Sequence, residues 1–308
     1  MKKLLCMICI IIGIWYFTQT DPLPSPVAYK AHSDLADSEE GPAVNAQAAL
    51  LVDLQSGQAL YRKNAHTRLY PASTTKILTA LLALEYGDLE DIVTVGEEIH
   101  LVQPNSSKAE LVPGQQISLA DLLYGLMLPS GNDAAYTIAV YVAEKTNPAQ
   151  AMSSQEAVAV FIDLMNQKAR RLGADESHFA NPDGYHDPRH YSTASDLSII
   201  ARAALQYPFF VQVTATEVYD YRWQDSGAAQ HQQSLYWKNT NLLLDQNSLY
   251  YEPDAIGVKT GYTKEAGYCL VAAVSNRQQQ LLSVILKDTE NEVWTDTLEL
   301  LEYGSSSP

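Results

Sequence analysis

Apolar and polar positions divide this chain into regions of different period. Near the start, Ala48-Ala49-Leu50-Leu51-Val52-Asp53 and Ala59-Leu60-Tyr61-Arg62 flank Gln55-Ser56-Gly57-Gln58. Two apolar runs around a Gly-containing turn predict a β-hairpin. Residues 95–205 carry mostly helical spacing. Leu119 to Leu128 predicts a helix stopping at Pro129, and Asp133 to Glu144 a second. Val158 to Leu172 predicts a third, closed by Gly173, and Ser195 to Leu205 a fourth. Beyond residue 209 strand patterns return, over Phe210 to Tyr219, Gln233 to Trp237, Tyr268 to Ser275 and Gln280 to Lys287. Glu290 to Tyr303 predicts a closing helix. Strands at both ends with helices between them imply an α+β fold. One antiparallel sheet is assembled from both termini and flanked by helices, with residues 95–205 as an inserted helical lobe. A cleft between lobe and sheet is the default place for a site.

The first residues follow another pattern. Lys2 and Lys3 precede an apolar stretch from Leu4 to Phe17, and polar Thr18-Gln19-Thr20 follows. This is the basic and apolar order of an export signal, short for a membrane-spanning helix of about 17 to 25 residues. No Ala-x-Ala site follows at once, so residues 1–20 are either a cleaved signal or an N-terminal anchor. Residues 21–43, with Pro22, Pro24, Pro26 and the acids Asp34, Asp37, Glu39 and Glu40, predict a flexible tether. Residues 44–304 then form the folded domain, and 305–308 a short tail. Composition adds exclusions. With 36 acidic against 20 basic residues the net charge is −16, which argues against a nucleic-acid partner. Cys6 and Cys9 lie in the apolar stretch, leaving Cys269 alone in the exported part, so no intrachain disulfide is available there. Cys269 reads as a small packed hydrophobe.

The chemistry centres on Pro71-Ala72-Ser73-Thr74-Thr75-Lys76, which opens the apolar run Ile77 to Leu84. Pro71 disfavours helix at Ala72, and Ser73 suits a helix start. Lys76, three residues on, falls on the same face as the Ser73 hydroxyl. A helix N-terminus also suits a developing oxyanion. Such a Ser-x-x-Lys match arises by chance about once in a few hundred residues, so alone it describes a capped helix. Two further clusters change that. Ser130-Gly131-Asn132 follows Pro129 and opens a helix, and Lys259-Thr260-Gly261 precedes Tyr262-Thr263 and the strand at Tyr268. Each has a bland reading, as a helix-start loop and as an edge-strand turn with a solvated lysine. Each occurs once, in this order, in a chain with an export signal.

With these motifs the chain resembles the exported serine D-alanyl-D-alanine carboxypeptidases, the low-molecular-mass penicillin-binding proteins. The resemblance includes His178-Phe179-Ala180-Asn181-Pro182-Asp183-Gly184, His190-Tyr191-Ser192-Thr193-Ala194-Ser195-Asp196-Leu197 and Ala266-Gly267-Tyr268, and covers roughly residues 44–303. It implies a β-lactamase/transpeptidase-like fold and an enzyme that acts on peptidoglycan stem peptides outside the cytoplasm without a cofactor or metal. β-Lactam antibiotics would be inhibitors. Ser73 would be the nucleophile and Lys76 its base, with a pKa lowered by burial and by Lys259. Ser130 would pass a proton to the leaving amine, and Asn132 would hold the substrate amide and Lys76. Lys259 and Thr260 would receive the terminal carboxylate, with Gly261 beside them and the backbone N–H groups of Ser73 and Tyr262 as the oxyanion hole. Membrane attachment, if any, would run through the N-terminus.

Three rivals can be weighed. A class A β-lactamase would need a Glu-x-x-x-Asn loop, but Glu176 lies five residues before Asn181 and Ala180 occupies the required place. A metal hydrolase would draw on Asp183, His186, Asp187 and His190, yet Pro188 breaks any helical His-x-x-x-His face. A non-catalytic peptidoglycan-binding module has no need of Ser73, Lys76 and Lys259 together. One departure from the family stands out: Gln280, before Leu281-Leu282, takes a place where relatives carry arginine, and carboxylate binding is expected to feel the change.

Overall fold

The computed structural model describes residues 37–38, 41–224, 232–277 and 279–306. The expected export signal, and most of the tether, lie outside the described residues. Five strands form the main sheet: β1 (Ala48–Asp53), β2 (Ala59–Lys63), β7 (Ala255–Thr263), β8 (Gly267–Ser275) and β9 (Gln280–Asp288), in the order β2-β1-β9-β8-β7. All neighbours are antiparallel, and β1 pairs with β9 from Ala48↔Leu286 to Asp53↔Leu281. The sheet is therefore closed from the two ends of the chain.

Period-two alternation makes it two-sided. Ala48, Leu50 and Val52 of β1, with Leu282, Val284 and Leu286 of β9, face a core shared with the helical part. Ala49, Leu51, Leu281 and Ile285 face the opposite way, onto α7 (Glu292–Ser306). Helix α1 (Lys76–Tyr86) is central. Its residues Lys76 to Ala83 are all buried, as an apolar run without a polar face demands. Around it pack α2 (Leu119–Met127), α3 (Asn132–Thr146), α4 (Ser154–Leu172) and α5 (Ala194–Ala204). Helix α5 lies within the span read as the lobe, and it packs against β1, β8 and β9. Gly173 ends α4 with φ of +87°, in the left-handed conformation of a C-terminal cap.

Two expectations fail between residues 208 and 240. Phe210 to Tyr219 is not one strand: α6 (Pro208–Thr214) occupies its first half, and extended structure starts only at Val218. Pro208 supplies a preset first helical residue, and Phe210, Val213 and Thr214 are buried at helical spacing. Strands β5 (Val218–Gln224) and β6 (Gln232–Lys238) then pair with each other rather than joining the sheet. Their aromatic face lies on the helical core, with Tyr219 stacked on Tyr124 and Tyr221 on Trp237. A two-stranded antiparallel ribbon of β3 (Ile92–Thr94) and β4 (Gln116–Ser118) interrupts the span read as helical.

Candidate active site

Ser73 sits in a 3₁₀ turn, Ala72–Thr75, immediately before α1, not at the first α-helical residue. Ala72 carries a φ of +49°, and Thr74 Oγ1 closes the turn by donating to Pro71 O at 2.7 Å. The three-residue spacing brings Lys76 Nζ to 2.9 Å from Ser73 Oγ. The same nitrogen donates to Asn132 Oδ1 at 2.6 Å and to the Asp183 carbonyl at 2.8 Å. Lys76 is fully buried, and burial lowers its pKa to about 8 against the opposing pull of Asp183 and Asp133. As a neutral amine it keeps two protons for Asn132 and Asp183 and turns its lone pair toward the Ser73 hydroxyl.

The second cluster reaches Lys76 from the far end of α2. Ser130, buried, holds φ at +61°, and its Oγ has no hydrogen-bond partner among the described residues. Its carbonyl accepts Ser107 Oγ at 2.7 Å, while the Asn132 N–H donates to Ser107 O at 2.9 Å. Asp133 locks the adjoining loop by accepting the Ala109 and Leu111 N–H groups at 2.7 and 3.0 Å. Gly131 is pressed into this junction. A Cβ there would lie 2.6 Å from the Gly125 carbonyl and 2.8 Å from Ala109 Cβ, so the middle position has no room for a side chain.

Lys259, Thr260, Gly261 and Tyr262 lie inside β7, a nine-residue edge strand, rather than in a turn. The bland reading of Lys259 as solvated fails outright, since the residue is 1% exposed. Its Nζ donates to Thr260 O at 3.1 Å. Burial, and then the Lys76 charge, hold its ammonium well below the ordinary lysine range. Burial is the largest cause at both lysines. Gly261 lets β7 run against the turn: a Cβ there would sit 2.9 Å from Ser73 N and 3.1 Å from Pro71 O. Tyr262 is exposed, its ring 4.5 Å from that of Tyr268.

One neighbour escaped the sequence reading. Thr240 Oγ1 lies 2.6 Å from Thr260 Oγ1, carried there by the Thr240 N–H bond to the Leu128 carbonyl. Twenty residues separate the two threonines, so no local spacing announces the pair. Gln280, by contrast, is placed elsewhere. It faces Ser275 in the β8–β9 register and donates to Ser275 Oγ at 3.2 Å. Thr260 pairs with Leu270, five residues back along β8, about 17 Å at roughly 3.4 Å per residue. At that distance Gln280 does not bear on carboxylate binding, contrary to expectation.

The loop from His178 to Tyr191 backs the nucleophile. Thr79 Oγ1 donates to Pro182 O at 2.6 Å, beside the Asp183–Lys76 bond. Burial raises the Asp183 carboxyl despite nearby Lys76. The residues of the metal reading are engaged otherwise: His186 sets its ring edge-on to Tyr70 at 4.7 Å, and His190 bonds Thr75 at 2.8 Å. No group of three His, Cys, Asp or Glu among the described residues is arranged to hold a metal ion. Glu176 pairs with His66 at 3.0 Å.

A serine–lysine pair between a helical layer and the edge of an antiparallel sheet defines a serine enzyme of β-lactamase/transpeptidase-like fold. The D-alanyl-D-alanine carboxypeptidase family model, Peptidase_S11, matches residues 35–290, and the chain belongs to that family. It is 31% identical to the D-alanyl-D-alanine carboxypeptidase DacF of Bacillus subtilis, over 99% of this chain and 72% of that one. Against the D-alanyl-D-alanine carboxypeptidase of Streptomyces sp. (strain K15) identity is 34%, covering 85% and 88%. The crystal structure of the Streptomyces K15 DD-transpeptidase superimposes with a TM-score of 0.78 at 33% identity, over 87% of this chain and all of that one.

Proposed function

We propose that this protein removes the terminal D-alanine from peptidoglycan pentapeptide stems through an acyl-enzyme on Ser73. Serine D-Ala-D-Ala carboxypeptidase is the activity of its family, and family members are cell-wall enzymes that act outside the cytoplasm. The observation that carries the residue assignment is Lys76 Nζ, buried and bonded to both Ser73 Oγ and Asn132 Oδ1. A serine hydroxyl needs an adjacent base, and Lys76 is the group in reach. Lys76 takes the Ser73 proton as Oγ attacks the carbonyl between the two D-alanines. Charge on that carbonyl oxygen is met by the Ser73 and Tyr262 N–H groups. Ser130, whose hydroxyl has no partner among the described residues, gives its proton to the departing amine and regains one from Lys76. Asn132 orients the substrate amide, and Lys259 with Thr260 takes the terminal carboxylate, whose negative charge restores the Lys259 ammonium. Water then releases the shortened stem. β-Lactams acylate the same serine and leave slowly. Residues 1–20, as signal or anchor, would place the domain outside the membrane; no helix among the described residues is long and apolar enough to cross one.

The test is D-alanine release from a pentapeptide ending in D-Ala-D-Ala. Rapid penicillin hydrolysis with no release would favour a β-lactamase instead. The pH dependence follows from Lys76. A lysine is a base only when deprotonated, and with a pKa of about 8 about 10% of it is free base at pH 7. Acylation by penicillin under single-turnover conditions should climb through a midpoint near that value. A rate that stayed flat from neutral to alkaline pH would remove Lys76 as the base.

A further inference from the structure

His190 is buried, and both of its ring nitrogens are committed. Nδ1 accepts the Ala180 N–H at 3.2 Å, so the ring proton sits on Nε2, which donates to Thr75 Oγ1 at 2.8 Å. The Phe179 ring meets the imidazole edge-on at 5.5 Å. The ionisable groups facing it are Asp187, His178, His186 and Lys76. Burial outweighs the attraction of Asp187 and drives the pKa down to about 3, so the ring is a neutral donor at any working pH.

Thr75 is the last residue of the turn that holds Ser73 and the one before Lys76. The His178–Tyr191 loop therefore grips the start of α1 through His190–Thr75, Asp183–Lys76 and Pro182–Thr79. Of these, only the first is made by a loop side chain. An aromatic hydrocarbon of similar size would fill the space against Phe179 but offer Thr75 no donor.

We propose that His190 is a positioning residue for acylation: its Nε2–H bond to Thr75 sets the rotation of the Ala72–Thr75 turn and with it the alignment of Ser73 and Lys76. The inference rests on the reading of Ser73 as nucleophile and Lys76 as base. His190 acts through Thr75 and not on the substrate.

Three variants separate its parts. His190→Gln keeps a donor near the Nε2 position, His190→Asn keeps only an acceptor near Nδ1, and Thr75→Val keeps shape and removes the acceptor. Acylation by a fluorescent penicillin is measured against pH, beside thermal unfolding of the full chain. His190→Gln should stay within about threefold of the parent, whereas His190→Asn and Thr75→Val should slow about 10- to 100-fold. In the slow variants the rise in rate should move to higher pH by about half a unit or more, as a loosened turn admits water to Lys76. The double variant of His190→Asn with Thr75→Val should be no slower than either single change. Equal slowing of Gln and Asn variants with an unmoved pH profile would overturn the proposal, as would rates that follow only the unfolding temperature. If the His190 variants do not fold, Thr75→Val decides alone, because it leaves the ring in place. Ser73→Ala distinguishes the two levels. Normal rates in the His190 and Thr75 variants, with labelling lost in Ser73→Ala, overturn the positioning role only; labelling retained in Ser73→Ala overturns both.

Discussion

Ser73→Ala should abolish covalent labelling by penicillin and lower D-alanine release by about 10⁴-fold or more, since loss of a nucleophile is among the largest single catalytic defects. The fold should survive. Ser73 is only half-buried, and Lys76 retains its bonds to Asn132 Oδ1 and the Asp183 carbonyl when the hydroxyl goes. Unfolding temperature therefore stays near that of the parent while labelling disappears. Gel fluorescence after incubation with the labelled antibiotic reads the first, and calorimetry the second. Equal labelling of parent and variant would move the nucleophile to another residue and dissolve the site as described.

Gly184→Ala should do its damage through structure. Gly184 has φ of +84°, and an added Cβ would overlap the Ala72 carbonyl and lie 2.9 Å from Thr75 Oγ1. A left-handed conformation costs a non-glycine residue about 1–2 kcal/mol, and overpacking against a fixed group about 1–3 kcal/mol more. The obstacle is backbone of the nucleophile turn, so it yields only by moving Ser73. A loss of roughly 2–5 kcal/mol is a large share of a total near 5–15 kcal/mol, and the displaced turn should cost about 100-fold in acylation. Gly114 provides the comparison. Its φ is +83°, but an added Cβ would meet nothing within 4 Å. Gly114→Ala should lose only about 1–2 kcal/mol and keep its acylation rate. Denaturant unfolding of both variants checks this, and equal losses would mean that φ alone, not contact with the turn, makes Gly184 necessary.

The two glycines also show where reading along the chain stops. Both look like ordinary loop residues in the sequence, and only their surroundings tell them apart. Ser73 and Lys76 were legible because a spacing of three is local: it places two side chains on one helical face whatever surrounds the helix. The lobe's helices were legible because burial on one side imprints a period of 3.6, and strands β1, β8 and β9 because burial on both faces leaves short continuous apolar runs. The stretch after Pro208 was misread because Phe210, Val211 and Val213 suit a strand by residue type while their burial follows a helix. Thr240 beside Thr260, and His190 beneath Thr75, carry no local signal at all.

By itself, then, the sequence determined the lobe's helices, the strands β1, β8 and β9, the acidic character of the chain and the serine–lysine pair that one helical turn is bound to bring together. Only the tertiary structure decided that β7 runs against the Ser73 turn, that Lys259 is buried instead of solvated, and that Gln280 stands apart from the site. Those outcomes depend on which strand takes the sheet edge and on backbones, more than 100 positions apart, packed so closely that a Cβ added at Gly261 would lie 2.9 Å from Ser73 N. Such contacts are set by how the whole core packs, and periodicity within one segment holds no record of them.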